Sequence, residues 1–302
     1  MINKILIIGY GSIAKKHLIS LKRINKFNKI FIYSRRNIEY KNAINSFDKI
    51  IDIDPDYFVI ATETSSHFKF LNFIVRNFQK KIILVEKPLF KNFQKLNINN
   101  NKVFVGYNLR MHPILQYLNK NIRKQKIWYV DVKCDSYLPA WRKNTNYVNT
   151  SSAKKSLGGG VLLDLSHELD YLTWIFGRLT PKFVKNLKIS NLKVTSDDFL
   201  LLYAVNKDKI HFNVSLNYFS KIEMRQISIK GENINILADL INNKIEIINK
   251  SQKIINKYKK FNIYDTYFEL HKSILSGKVK KLCDYYQGVQ IMKLIKEIKS
   301  LN

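Results

Sequence analysis

Gly9-Tyr10-Gly11-Ser12-Ile13-Ala14 follows directly on the apolar run Ile5 to Ile8, and an amphipathic stretch over residues 14–21 follows directly on it. Two glycines between a buried strand and a helix let the backbone turn tightly and approach a phosphate, whose charge then rests on the helix N-terminus. The pattern is weak alone and gains weight from its surroundings. Short apolar runs recur at residues 29–33, 57–61, 81–86 and 103–106, and residues 67–78 again carry helical spacing. Strand and helix in alternation imply a doubly wound parallel sheet with right-handed crossovers. Gly9, Gly11, Ser12 and Ile13 are therefore candidate dinucleotide contacts, with a purely structural strand–helix turn as the alternative.

A chain of 302 residues exceeds what one hydrophobic core usually organises, so two domains are expected. From about Lys126 the rhythm changes, which puts the boundary near residues 110–125. A strand-like alternation runs from Lys126 to Tyr137, a polar loop spans residues 139–156, and helical spacing covers residues 163–176. Strand-like runs at 199–205, 210–219, 225–230, 233–240 and 244–249 are separated by short turns that suit antiparallel pairing. Two helices, near 264–276 and 285–301, close the chain. We expect an α/β fold: a Rossmann domain over residues 1–115 and an α+β domain with an open, mostly antiparallel sheet over 116–302.

The formal net charge is +29, from 52 Lys+Arg against 23 Asp+Glu. An excess of that size raises the question of nucleic acid. The lysines are spread through every segment beside an equal excess of Asn and Ile, and no RNA- or DNA-binding signature is present, so no nucleic-acid partner is expected. Cys134 and Cys283 lie far apart and form no C-x-x-C pair, which suits a reducing compartment and leaves no metal motif. The apolar run after Met1 is too short for a signal peptide, and no run approaches a membrane span, so a cytoplasmic protein is expected.

Cofactor choice is read at the end of the second strand. Dinucleotide enzymes that prefer NAD usually place an Asp or Glu there, and this chain has Ser34-Arg35-Arg36. A hydroxyl and a guanidinium suit a 2′-phosphate, so NADP is favoured over NAD. Glu86-Lys87-Pro88 follows the fourth strand, at the sheet edge where ligands gather. Near a nicotinamide, Lys87 is a candidate to exchange a proton with a substrate hydroxyl; a salt-bridged strand-end lysine is the alternative. The second glycine cluster, Gly158-Gly159-Gly160, leads into Asp164, His167 and Asp170 at helical spacing, which suits an imidazole oriented by a carboxylate. A histidine of the core is the alternative.

The combination Gly9-x-Gly11-x-x-Ala14, Thr62…Ser65-Ser66-His67, Glu86-Lys87-Pro88, Tyr107-Asn108-x-Arg110-x-His112-Pro113 and Gly158-Gly159-Gly160…Asp164…His167-x-x-Asp170 resembles the glucose-fructose oxidoreductase / inositol dehydrogenase / rhizopine-catabolism (Gfo/Idh/MocA) oxidoreductase family. Residues 137–177 look most like members of bacterial surface-polysaccharide and nonulosonic-sugar pathways. The resemblance implies hydride transfer between a nicotinamide and a sugar, sugar acid, cyclitol or sugar nucleotide. It also implies a homodimer or homotetramer formed through the C-terminal sheet. By position it makes Lys87 the catalytic lysine and His167 the catalytic-block histidine, with Asp164 as a further candidate. Thr62, Ser65, His67 and Glu86 then border the cofactor with Ser34 and Arg35, and Arg110, Tyr137, Trp141, Arg142 and Asp170 are candidate substrate contacts. Two departures stand out. The family's aspartate four residues before the histidine is Leu163 here, with Asp164 one place later, and Glu63 replaces the usual proline after Thr62. A non-catalytic cofactor or sugar sensor on the same fold is the rival reading.

Overall fold

A computed structural model describes residues 2–24, 29–249, 252–258 and 261–302. Met1, the first residue of the expected Rossmann domain, lies outside the described residues. The chain divides into two compact units, residues 1–111 with 262–292, and residues 112–261 with 293–302.

The first unit opens with β1 (Lys4–Ile8), α1 (Ser12–Ile24), β2 (Lys29–Tyr33), β3 (Ala43–Ile44), α2 (Phe47–Ile53), β4 (Tyr57–Ile60), α3 (Thr64–Asn77), β5 (Ile82–Val85) and β6 (Lys102–Val105). Ile5 to Ile8 and Tyr57 to Ile60 are all fully buried. Continuous apolar runs of this kind fit strands covered on both faces, and each such side chain contributes about 1.5–3 kcal/mol. All pairings among β1–β6 are parallel. The strand positions agree with the sequence reading to within a residue or two; β3 and α2 went unread, being two and seven residues long.

The second unit contains α4 (Pro113–Asn121), β7 (Ile127–Tyr137), α5 (Val161–Asp164), α6 (His167–Phe176), β8 (Leu179–Leu187), β9 (Phe199–Asn206), β10 (His211–Asn217), β11 (Phe219–Gly231), β12 (Ile234–Asp239), β13 (Lys244–Asn249) and β14 (Gln252–Lys257). The sheet order is β14-β13-β12-β11-β7-β10-β9-β8, antiparallel throughout except for the parallel pair β7–β10. Along β7, Val130, Val132 and Cys134 are buried while Trp128 and Lys133 are exposed. α5 packs on β9 and β10. The opposite face leaves Phe183, Tyr203, Leu237 and Ile248 exposed. The sequence reading missed β8 and β14, the outermost strands. β8 contains Pro181, a residue that an edge strand tolerates.

The chain then returns to the first unit with α7 (Asp265–Leu275), β15 (Cys283–Asp284) and α8 (Tyr285–Ser300), whose residues through Met292 belong there. β15 pairs antiparallel with β6, completing the order β15-β6-β5-β4-β1-β2-β3. The division is thus discontinuous, unlike the single cut expected after residue 115. Its reason lies in the Tyr107–Pro113 motif. Asn108 donates to the Thr266 hydroxyl at 2.6 Å, and Arg110, 2% exposed, donates to the Leu282 carbonyl and Gln287, so both tie residues 106–111 to the returning segment. Arg110, expected as a substrate contact, is thus held inside the first unit by these donations. Two residues later His112 caps α4, accepting from the Ile114 amide at 3.2 Å.

Candidate functional site

The glycine turn sits where the sequence puts it. Gly9 has φ +115°, and a Cβ there would run into the Ala61 carbonyl at the end of β4. A Cβ on Gly11 would meet nothing within 4 Å, so its missing side chain answers no neighbour in the protein. Ser12 and Ile13 begin α1, whose first turn carries no acid. A helix N-terminus with no carboxylate and open backbone in front of it fits the pyrophosphate of a dinucleotide.

Around that turn the remaining candidates divide. Ser34 is turned onto its own loop: its hydroxyl accepts from the Arg36 amide at 3.1 Å and donates to the Arg36 carbonyl at 3.0 Å. Arg35 is largely exposed and lies 3.2 Å from the Glu63 carboxylate, which also accepts from Ser66 at 2.9 Å. The proline replacement after β4 thus places an acid beside the arginine after β2. Ser65 is exposed in the first turn of α3, and Thr62 is half-buried. His67 is 1% exposed, with its ring nitrogens 3.0 Å from the Pro88 carbonyl and 3.2 Å from the Thr62 carbonyl. His67, expected beside the cofactor, thus staples the loops after β4 and β5 together. Glu86, 6% exposed, is likewise held inside: one oxygen is 2.9 Å from His17 and the other accepts from the Lys87 amide at 3.2 Å. Lys87 itself is half-buried at the carboxyl end of β5, and its peptide bond to Pro88 is cis.

In the second unit, a cavity of about 300 Å³ is lined by residues that include Ser136, Trp141, Asp164, His167, Glu223 and Arg225. The triple glycine leads into α5 through closely packed backbone. Gly158 and Gly160 take positive φ, a Cβ on Gly159 would strike the Ser151 and Ser152 carbonyls, and one on Gly160 would strike the Asp197 carboxylate. The single helix expected over 163–176 is broken: α5 ends at Asp164 and α6 begins at His167. Asp164 and His167 therefore do not share one helix face, yet both reach the cavity. Asp164 accepts from the Tyr218 hydroxyl at 2.5 Å, and burial followed by the Asp164 charge holds that phenol well above its usual range. Trp141 stands edge-on to Tyr218, ring centres 5.2 Å apart, and donates to the Ser136 hydroxyl.

Arg225 reaches the cavity from β11, where an irregularity against β7 between Phe219 and Met224 redirects the strand. Its guanidinium grips the fully buried Glu168 in a two-point pair, at 2.7 and 3.3 Å. Beside them burial pushes the Cys134 thiol up to about 12, so it is inert as a nucleophile near neutrality. Tyr218, Arg225, Glu168 and Glu223 were not singled out from the sequence, because each gains meaning only through a partner 50 or more positions away or through the irregular β11. Asp170 is 1% exposed on α6, and Tyr137 pairs with Phe219 in the sheet; neither lines the cavity, nor does Arg142, which is half-buried. These three expected substrate contacts are thus not gathered with Trp141.

Buried histidines give the protein an acid limit. Burial lowers His67 and His271, and lowers His112 to about 4 from 6.5. A folded value below the unfolded one means that the unfolded chain binds more protons, so the stability is present above about pH 6.5 and lost as pH falls toward the folded values. His112 alone accounts for about 3 kcal/mol between pH 6.5 and 4. Asp135 and Asp197, raised by burial, oppose this only where they themselves titrate. Denaturant midpoints measured from pH 8 to 4.5 should fall steeply below pH 6.5, and His112→Gln should flatten the slope.

Fold and site define a dinucleotide-binding Rossmann domain joined to an open-sheet α+β domain. Residues 3–100 match the GFO_IDH_MocA model, described as an oxidoreductase family with an NAD-binding Rossmann fold, so this part of the chain is similar to that family's NAD-binding domain. No curated protein matches the chain by sequence. Among solved structures, the WlbA dehydrogenase from Bordetella pertussis in complex with NADH and UDP-GlcNAcA aligns with a TM-score of 0.80 at 15% identity, over 100% of this chain and 96% of that one. UDP-N-acetylglucosamine 3-dehydrogenase GnnA from Acidithiobacillus ferrooxidans aligns at 0.79 and 15%, over 100% and 98%. A levoglucosan dehydrogenase in complex with NADH aligns at 0.84 and 16%, over 99% and 96%. At these identities the likeness is one of fold over both units.

Proposed function

We propose that this protein is an NAD(P)-dependent oxidoreductase that moves a hydride between a nicotinamide and the hydroxyl or carbonyl carbon of a sugar, sugar acid, cyclitol or sugar nucleotide. The observation that carries the reading is the open space over Gly11 at the acid-free start of α1, within a domain of an NAD-binding family. When bound, the nicotinamide supplies the two-electron chemistry. Gly11, Ser12 and Ile13 hold the pyrophosphate by backbone amides, while Gly9, whose own amide donates to the Tyr33 carbonyl at 2.9 Å, gives the turn its shape. Lys87 exchanges the proton of the reacting hydroxyl. In the second unit His167 and Asp164 bind and orient hydroxyls, Tyr218 keeps the Asp164 carboxylate in place, and the Trp141 ring offers an apolar surface to a sugar.

UDP-GlcNAcA and NADH, bound by the Bordetella pertussis neighbour, support a sugar nucleotide, and the resemblance over residues 137–177 supports a place in bacterial surface-carbohydrate biosynthesis. Ser34 and Arg35 favour NADP, and a 2′-phosphate would have to displace Glu63 from Arg35. The reading also puts the protein in the cytoplasm, where the buried free Cys134 and Cys283 stay reduced. Among the described residues no helix is long and apolar enough to cross a membrane. The exposed apolar side chains on the open sheet face support a homodimer or homotetramer formed there.

Titration of NADH and NADPH in parallel tests the reading. Saturable binding is expected, and Gly11→Ala, which meets no protein atom, should leave the thermal midpoint within about 2 °C while weakening binding about tenfold or more. No binding of either nucleotide by the folded protein would reject the reading in favour of a regulatory module on the same fold.

A further inference from the structure

Four buried polar side chains line up inside the first unit. The Tyr57 hydroxyl lies 2.8 Å from His271 Nδ1, His271 Nε2 lies 2.8 Å from His17 Nδ1, and His17 Nε2 lies 2.9 Å from Glu86 Oε1. Tyr57, His17 and His271 are fully buried and Glu86 nearly so. They come from β4, α7, α1 and the end of β5. Gly106 leaves room for the last of them, since a Cβ there would meet Glu86 Oε1 at 2.6 Å. The other Glu86 oxygen accepts from the Lys87 amide.

Proton counting orients the chain. A neutral imidazole has one N–H and one bare nitrogen, and a carboxylate only accepts. With Glu86 ionised, His17 donates from Nε2 and accepts at Nδ1, His271 does the same, and the Tyr57 hydroxyl donates to His271. Every group is then satisfied without an added proton. In the reverse arrangement Glu86 carries a proton, both imidazoles hold it on Nδ1, and the Tyr57 hydroxyl hydrogen points away from the only hydrogen-bond partner it has among the described residues. A buried donor without an acceptor is disfavoured, so the forward direction prevails. The line ends at the buried Tyr57, with no further side-chain partner among the described residues to carry a proton onward. It therefore holds a charge in place; it does not conduct.

We propose that Tyr57, His271, His17 and Glu86 form a one-way hydrogen-bond chain that keeps Glu86 ionised beside Lys87, making His17 and His271 positioning residues for the lysine. The inference concerns the electrostatics of Lys87 and rests, for its use in catalysis, on the oxidoreductase reading. Besides the four members, Tyr267 of α7 faces the chain, its ring centre 5.2 Å from that of His17 and 5.8 Å from the Lys16 ammonium. Burial, with Glu86 adding, keeps the Tyr267 phenol protonated well above neutrality, so it adds no charge there.

Two measurements test this without substrate or cofactor. Nitrogen NMR of the histidine-labelled full chain should show His17 and His271 as neutral Nε2–H tautomers from pH 6.5 to 8. Nδ1–H at either ring, or a charged ring in that range, would overturn the chain's direction. Competitive acetylation, read at the Lys87 peptide by mass spectrometry, should show the pH midpoint for Lys87 falling by about one unit in both His17→Gln and Glu86→Gln, with the limiting rate unchanged. A midpoint unmoved in His17→Gln but moved in Glu86→Gln would make His17 a packing residue only and reject the proposal. Should His17→Gln fail to fold, His271→Gln provides the same comparison. Failure of NADH to bind would sink the oxidoreductase reading and leave both of these results standing.

Discussion

Replacing Lys87 by alanine is expected to lower turnover roughly a hundred- to ten-thousand-fold while leaving NADH or NADPH affinity within about threefold of the wild type. The split follows from what the side chain is proposed to do. Its ammonium carries the proton that leaves or joins the substrate oxygen, a task that arises only as the bond to hydrogen breaks or forms, so the loss falls on kcat more than on binding. The cofactor is proposed to be held elsewhere, at the glycine turn by the amides that follow Gly9. The measurement is steady-state turnover with whichever sugar or sugar nucleotide the wild type oxidises, alongside nucleotide titration. Unchanged turnover would remove Lys87 from the mechanism.

The largest stability effect is expected at Glu168. This carboxylate is fully buried and accounts for the two-point contact to Arg225, at 2.7 and 3.3 Å. Glu168→Leu leaves a largely enclosed guanidinium without its counter-charge, at a cost of about 3–5 kcal/mol. That is a large part of the total stability of an ordinary domain, about 5–15 kcal/mol. The double variant Glu168→Leu/Arg225→Met removes both charges and should recover most of the loss, because a buried ion pair and an apolar pair of similar volume are often close in free energy. Urea unfolding of the two single variants and the double variant gives the coupling directly. A double variant no more stable than Glu168→Leu would show that the pair matters for shape and not for charge.

The sequence was most legible where the physics is local. Buried parallel strands need unbroken apolar runs, and a turn between strand and helix needs glycine, so β1, β2, β4, β5, β6 and the Gly9–Ala14 turn could be read directly. The alternation of β7 and the strands β9 to β13 could be read for the same reason. Lys87, His167 and Asp164 stood out because their neighbours in sequence set them apart, whereas Trp141 came only from the family resemblance; the last three line one cavity.

Tertiary structure decided what a linear pattern cannot encode. Histidine and arginine look alike on paper whether they face a ligand or the core; burial turned His67 and Arg110 into staples, and it joined His17 to His271 across 254 positions. The break between α5 and α6 was invisible because 163–176 keeps helical spacing throughout, whereas close contacts at Gly159 and Gly160 fix where the chain can run. The return of residues 262–292 to the first unit was unreadable for a related reason. Apolar periodicity says that a helix must bury a face, and only the folded chain says against which domain. The sequence by itself determined the kinds of element and the chemical groups available; the tertiary structure decided which of those groups are held inside, because desolvation and pairing depend on neighbours that the sequence leaves far apart.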